Sequence, residues 1–168
     1  MTHTLTLREL REAVENRMDA AGVVRELSPL NKLARASLSA RMMFHIGDTA
    51  DEARKIYDRM ETQRRELVKR LGQPMKDDKG AVVPDQFFVP AEKDAEFQVE
   101  YDALLSETCA LDVRPFSVSE FEKYEAALAA VGFNGNDMRA LRFMIPMDEA
   151  KADENANGAR PKAKAVKK

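Results

Sequence analysis

The sequence predicts a mainly α (α+β) domain, and three observations carry that prediction. The first is a stripe formed by Met43, Ile46, Ala50, Ala53, Tyr57, Met60, Arg64, Leu67 and Leu71. Its steps alternate between three and four, and only Arg64 is not apolar, which is the pattern of one face of a long helix. The second is a stretch from 73 to 90 in which valines and phenylalanines are bounded by prolines and turn residues, the pattern of a small β element. The third is a pair of capping boxes, Thr6 with Glu9 and Ser117 with Glu120, each placed just ahead of an apolar helical face.

Along the chain, Thr6 comes first. Beyond it, the residues Leu7, Leu10, Val14 and Met18 share a helical face, and Gly22 is a natural stop, so a first helix is expected over 7–21. Ser28 with Pro29 reads as a cap and a first helical residue, opening a short helix with Leu30, Leu33 and Ala34. Ser37-Leu38-Ser39 breaks the chain, and Ser39 can cap the next helix. That long helix is expected over 40–71. Gly47, Asp48 and Thr49 offer a local case for a second break, but the stripe passes through without a change of phase, and one interior glycine costs only about 1 kcal/mol. Gly72 ends the helix.

Asp77-Asp78-Lys79-Gly80 is turn chemistry between apolar flanks, while Pro84 and Pro90 confine the strands to an edge or a short hairpin. A helix with Phe97, Tyr101, Leu104 and Leu105 on one face comes next. Cys109, Leu111 and Val113 then alternate as a strand, for which the hairpin is the expected partner. Ser117 opens a helix carrying Phe121, Tyr124, Leu128 and Val131, stopped at Gly132. Asn136 is expected to cap a last helix with Met138, Leu141 and Ile145, closed by Pro146. One helical domain with a small β-hairpin, 1–146, is therefore expected. The remaining 147–168 are nearly free of apolar side chains, acidic at Asp148, Glu149, Asp153 and Glu154 and basic at the end, as in a disordered charged tail.

For chemistry the sequence offers little. It has no glycine-rich phosphate loop, no CxxC, no GxSxG turn and no histidines at metal spacing. Of the two histidines, His3 is assigned to a frayed terminus, and His45 has Asp48 three residues later, an arrangement that reads as a surface ion pair. Cys109 has no electropositive sequence neighbours and reads as a small apolar residue. No catalytic residue, cofactor or metal is expected. A net charge of −2 gives no reason to expect nucleic acid as a partner. The basic pairs Arg64-Arg65 and Lys69-Arg70 interleave with carboxylates and suit a solvated helix end. There is neither a signal-peptide-like run nor an apolar stretch of membrane-spanning length, so no membrane association is expected.

Three residues stand out as candidate partner-binding positions. Met42 and Phe44 lie at the start of the long helix beside the stripe, and methionine adapts to varied surfaces. Arg64 puts a charge on the stripe itself, where it snorkels to the edge or meets a carboxylate across an interface. The stripe serves a monomeric core or a homo-oligomer. The faces of the first helix, of Phe97 to Leu105 and of Phe121 to Val131 supply enough intramolecular cover to favour the former.

The segment SARMMFHIGDTADEARKIYDRMETQRRELVKRLGQ, the turn GAVVP, and the stretches FFVPAEKDAEFQVEYDALLSETCALDV, RPFSVSEFE and FNGNDMRALRFMIP resemble a widespread family of small, functionally uncharacterised phage-encoded proteins. The likeness is one of pattern and spacing over about residues 30–145. In that family a long charged helix leads into a short hairpin, a second helix, a strand and a small closing helix. The extra amino-terminal helix and the tail depart from it. The resemblance implies a phage setting, in the host cytoplasm or the virion, and no active site. It leads to the expectation of a non-enzymatic structural or assembly protein that binds a virion component. The alternative is a host-takeover or anti-defence protein that binds and inhibits a bacterial factor.

Overall fold

The structure, a computed structural model, describes residues 1–145; Pro146 and the tail expected at 147–168 lie outside the described residues. It is mainly α with small two-stranded sheets. Its chain order is β1 (Thr2–Thr6), α1 (Leu7–Val14), β2 (Arg17–Met18), β3 (Val24–Glu26), α2 (Pro29–Arg35), α3 (Ala40–Leu71), β4 (Gln73–Lys76), β5 (Val82–Phe88), α4 (Ala91–Ser106), β6 (Thr108–Asp112), α5 (Val118–Glu122), α6 (Glu125–Ala130) and α7 (Gly135–Ala140). β1 pairs antiparallel with β6, β2 with β3, and β4 with β5.

α3 organises the rest. The Ser39 Oγ accepts the Met42 amide at 3.3 Å to open it, and the Gly72 amide donates to the Val68 carbonyl at 2.8 Å to close it. Its 32 residues run without a break through Gly47, a span of about 48 Å at the usual helical rise. Gly72 is required by space as well as by position: a Cβ there would sit 2.8 Å from the Phe88 carbonyl oxygen and collide with the Val68 carbonyl. α1, α2, α4 and β6 pack along α3. One contiguous core results, with Leu10, Leu33, Ile46, Ala53, Met60, Leu111, Leu141, Met144 and Ile145 fully enclosed. Each large aliphatic side chain among these contributes about 1.5–3 kcal/mol.

Several local expectations hold. Ser28 caps α2 with Pro29 in its first turn, and both predicted capping boxes form, the Thr6 Oγ1 accepting the Glu9 amide at 3.2 Å and the Ser117 Oγ that of Glu120 at 3.3 Å. The 77–80 turn is built as its sequence suggests: the Asp77 carboxylate accepts the amides of Lys79 and Ala81, and Gly80 has a positive φ.

Four expectations are corrected. The first helix does not reach residue 21; it ends at Val14, and the chain turns into the β2–β3 hairpin. Asn16 draws the chain away by accepting the amide of Ser28 at 2.8 Å, Asp19 accepts the amides of Ala21 and Val23, and Gly22 sits at the tip with φ +76°. Met18, placed on a buried face by periodicity, is 61% exposed. The strand around Cys109 pairs with the amino terminus and not with the hairpin: Thr2 to Thr6 run opposite Asp112 to Thr108. His3 is therefore ordered opposite Leu111, and its Nε2 is enclosed without a hydrogen-bond partner. The helix expected after Ser117 is two short ones, because the backbone leaves helical geometry at Tyr124 (φ −116°, ψ 18°). Finally, Asn134 rather than Asn136 caps α7, its side chain accepting the amides of Asn136 and Asp137.

Asp137 has a second task. Its carboxylate accepts from Lys32 Nζ at 3.1 and 3.2 Å, both side chains being almost wholly enclosed, and Glu26 accepts from the same ammonium at 2.9 Å. Burial works against the Lys32 charge, but the hydrogen bonds to Glu26 and Asp137 outweigh it and hold the pKa above the ordinary lysine value. This pair joins α2 to α7 across 105 residues of sequence. Removing one member strands the other charge in the interior, so Lys32→Met is expected to lower stability by about 3–5 kcal/mol. Urea unfolding measures this. The double variant Lys32→Met with Asp137→Asn should recover part of the loss, and equal losses in single and double variants would show that the ion pair is not the source.

Candidate binding surface

The amino end of α3 is where the sequence-singled residues and the irregular segments meet. The stripe phase puts Met42 beside the seam, open to a partner; the structure corrects this. Met42 is only 4% exposed, a core residue, because the buried face at this end is Met42, Ile46, Thr49 and Ala53. Phe44, two residues on, points the other way and is 66% exposed. Behind it stands a row of rings: Phe44 to His45 at 5.6 Å edge-on, His45 to Phe116 at 6.3 Å, and Phe116 to Phe121 at 5.8 Å edge-on. Such contacts fix ring orientation, and each is worth about 0.5–1.5 kcal/mol beyond area burial when geometry is good.

Below this row lies a hollow of about 250 Å³ bounded by Ser39, Arg41, Met42, His45, Arg114, Pro115, Phe116, Glu120, Lys123 and Tyr124. The local sequence explains its walls. Ser39 starts α3; Pro115 comes after the end of β6, just past Arg114; the Ser117 box opens α5; the break at Tyr124 sets Lys123 at its far side. The Arg114 guanidinium lies 3.4 Å from His45 Nε2. The His45–Asp48 pair suggested by spacing is replaced by this one. Glu120, the one carboxylate of the hollow, has its pKa lowered by hydrogen bonds from the Ser117 amide and hydroxyl and then by the nearby Lys123 and Arg41 charges.

Arg64 sits some six turns further along α3, half-buried. Its charge is met within its own helix: Nε reaches both Glu61 oxygens at 3.0 Å, and this carboxylate raises the guanidinium's pKa. The question of an intermolecular partner for Arg64 thus has an intramolecular answer. Two other basic residues at that end are similarly occupied. Arg70 pairs with Glu100, and Lys69 lies 3.5 Å from Asp85 and 5.9 Å from the Phe87 ring centre. Beside Arg64, Tyr101 stacks on Phe97 at 5.6 Å and lies beneath the Arg11 guanidinium, closing α4 and α1 over the stripe.

A larger cleft, about 1290 Å³, runs between α1, the β2–β3 hairpin, α3 and α7. Six arginines and six carboxylates line it, and many are mutually paired, as in Arg11 with Glu15 at 2.6 Å, Arg142 with Glu9, and Arg17 with Glu26 at 3.2 Å. It has no net charge to attract an ion. Cys109 is half-buried, and burial pushes its thiol's pKa up, away from nucleophilic chemistry.

No family model, curated protein or solved structure matches this chain. Among the described residues, no group of three or more His, Cys, Asp or Glu side chains could hold a metal ion, and no helix is long and apolar enough to cross a membrane. Sequence reasoning reached Phe44 but missed Arg114, Phe116 and Lys123, which come to α3 from about 70 residues away. The run Arg114-Pro115-Phe116, a cation and a ring flanking a strand-ending proline, was the available signal.

Tyr57, on the stripe, donates its hydroxyl to Glu15 at 3.3 Å. Burial first, then the Glu15 and Glu61 charges, push its pKa up to about 12 from 10.0. The fold thus favours the neutral phenol: this contribution is complete below about pH 10 and disappears as pH rises through about 12. Alkaline titration monitored by tyrosinate absorbance should show a late component that Tyr57→Phe removes. A full tyrosinate signal near pH 10 in the folded protein would contradict the packing of this ring.

Proposed function

We propose that this chain is a non-enzymatic phage structural or assembly protein that acts by protein–protein contact, as a virion, head–tail or tail component or an assembly adaptor. One observation carries the binding part of the reading: Phe44, a large apolar ring, is 66% exposed on the longest helix of the fold and is held by a row of aromatic side chains. Exposed aromatic anchors on rigid supports are the residues on which interfaces concentrate their energy. The phage part rests on the resemblance in pattern between residues 30–145 and small phage-encoded proteins.

Chemistry has little support by comparison. The thiol is half-buried, His45 is engaged by Arg114, and the larger cleft is lined by charges that neutralise one another.

The test is affinity capture of the tagged full chain from infected cells, with mass spectrometry of both the captured material and purified particles. A virion protein should be captured, and Phe44→Ser should weaken that binding by about tenfold or more while leaving the circular dichroism spectrum unchanged. Capture of a bacterial protein alone, with the chain absent from particles and assembly intermediates, would replace this reading with the host-directed one.

A further inference from the structure

We propose that the hollow at the amino end of α3 receives a carboxylate of an acidic segment of a partner protein, while Phe44 takes an apolar side chain of the same segment. This rests on the reading of the chain as a protein-binding protein and names the chemistry of the partner.

The charge balance of the hollow is the starting point. Arg41, Arg114 and Lys123 face a single carboxylate, Glu120, which caps α5 through one oxygen and offsets only part of their charge, so the hollow keeps an excess of cations. Among the described residues none of these three cations forms an ion pair. The large cleft shows the opposite arrangement, with its arginines and carboxylates equal in number. α3 adds to the imbalance: its first turn holds no acidic residue, although helix starts ordinarily favour them.

Size and shape narrow the class of occupant. A hollow of about 250 Å³ lies below the roughly 300–1,000 Å³ usual for small-molecule sites, and it suits a side-chain head group. Arg114 presents a planar fork that matches a carboxylate, and its contact with His45 fixes one edge of that fork in place. Phe44 adjoins through His45, so the acidic group and its apolar neighbour would lie close together in the partner.

A nucleic acid fits less well. Tracking a phosphate backbone takes a continuous row of cations, whereas the next basic residues along α3, Arg54 and Lys55, begin about 20 Å away by helical rise, and further on Arg64, Lys69 and Arg70 are occupied by Glu61, Asp85 and Glu100.

The test uses the isotope-labelled full chain and three probes: the peptide Glu-Glu-Phe-Glu-Glu, an all-Glu peptide of equal length, and an oligothymidylate of matching charge. The Phe-containing peptide should give saturable amide shifts centred on Met42 to Ile46 and Arg114 to Phe116, weakening as salt rises. Arg114→Glu combined with Lys123→Glu should reduce its affinity at least about tenfold, and Arg41→Gln with Lys123→Gln, a milder pair of exposed substitutions, should reduce it measurably. Phe44→Ser should weaken the Phe-containing peptide to the level of the all-Glu one.

The proposal is overturned if no saturable shift occurs, if the variants bind as the parent does, or if the oligothymidylate binds more tightly than either peptide. It is also overturned if neutralising Asp148, Glu149, Asp153 and Glu154 to their amides tightens peptide binding about tenfold, since the chain's own acidic segment would then be the occupant. No phage component enters the titration. Absence from particles therefore leaves this inference standing, and a failed titration leaves particle membership standing.

Discussion

The covering of α3 is the constraint on which the rest of the structure depends. A helix of 32 residues with one apolar side draws most of its stability from burying that side, so other elements close over it along its length. α1 and α4 do so in the middle, with Tyr57, Tyr101 and the enclosed Ala53 and Met60 between them. β6 does so with Leu111, and the pairing of β6 with β1 then ties the amino terminus to the same layer. The Lys32–Asp137 pair fixes the position of α7 against α2, and through it Leu141, Met144 and Ile145, which follow α7, enter the core. Each of these joins is long-range, yet each is needed because α3 cannot be left open.

The features legible in the sequence were those its local chemistry determines. Ser28, Ser39, Thr6 and Ser117 are caps because an oxygen one residue before a helix reaches the free amides, and no distant residue is needed for that. The continuity of α3 through Gly47 was legible for a related reason: nine stripe positions that keep one phase outweigh one glycine. The β1–β6 pairing was not, since Thr2 to Thr6 find their partner more than 100 residues away and alternation alone does not choose among partners. α1 was overextended because its stop is a hydrogen bond from the Ser28 amide to Asn16, which periodicity does not contain.

The misplacement of Met42 has a geometric cause. A repeat with steps of three and four averages 3.5 residues, while a straight helix turns once in 3.6, so the stripe drifts by about 20° per heptad. Over four heptads the buried face moves by about one residue position. Around Met60 the stripe and the core coincide. At the amino end the enclosed residues are Met42, Ile46, Thr49 and Ala53, and the stripe's Met43 and Ala50 are only half-buried. The same rotation that takes Met42 inward brings Phe44 out.

That rotation also explains why the amino end of α3 differs from its carboxyl end. At the carboxyl end, Arg64, Lys69 and Arg70 each have a carboxylate within reach, supplied by α3 itself, the β4–β5 hairpin and α4. At the amino end the neighbouring segment runs from Arg114 to Lys123, and of its two carboxylates only Glu120, which caps α5 through Ser117, lines the hollow. Glu120 caps α5 through one carboxylate oxygen and still lies near Lys123 and Arg41, so one negative charge stands against three positive ones. The unmatched charge beside Phe44 is therefore a consequence of how this corner folds. An exposed ring next to an excess of cations offers apolar area and charge that the self-neutralised cleft does not.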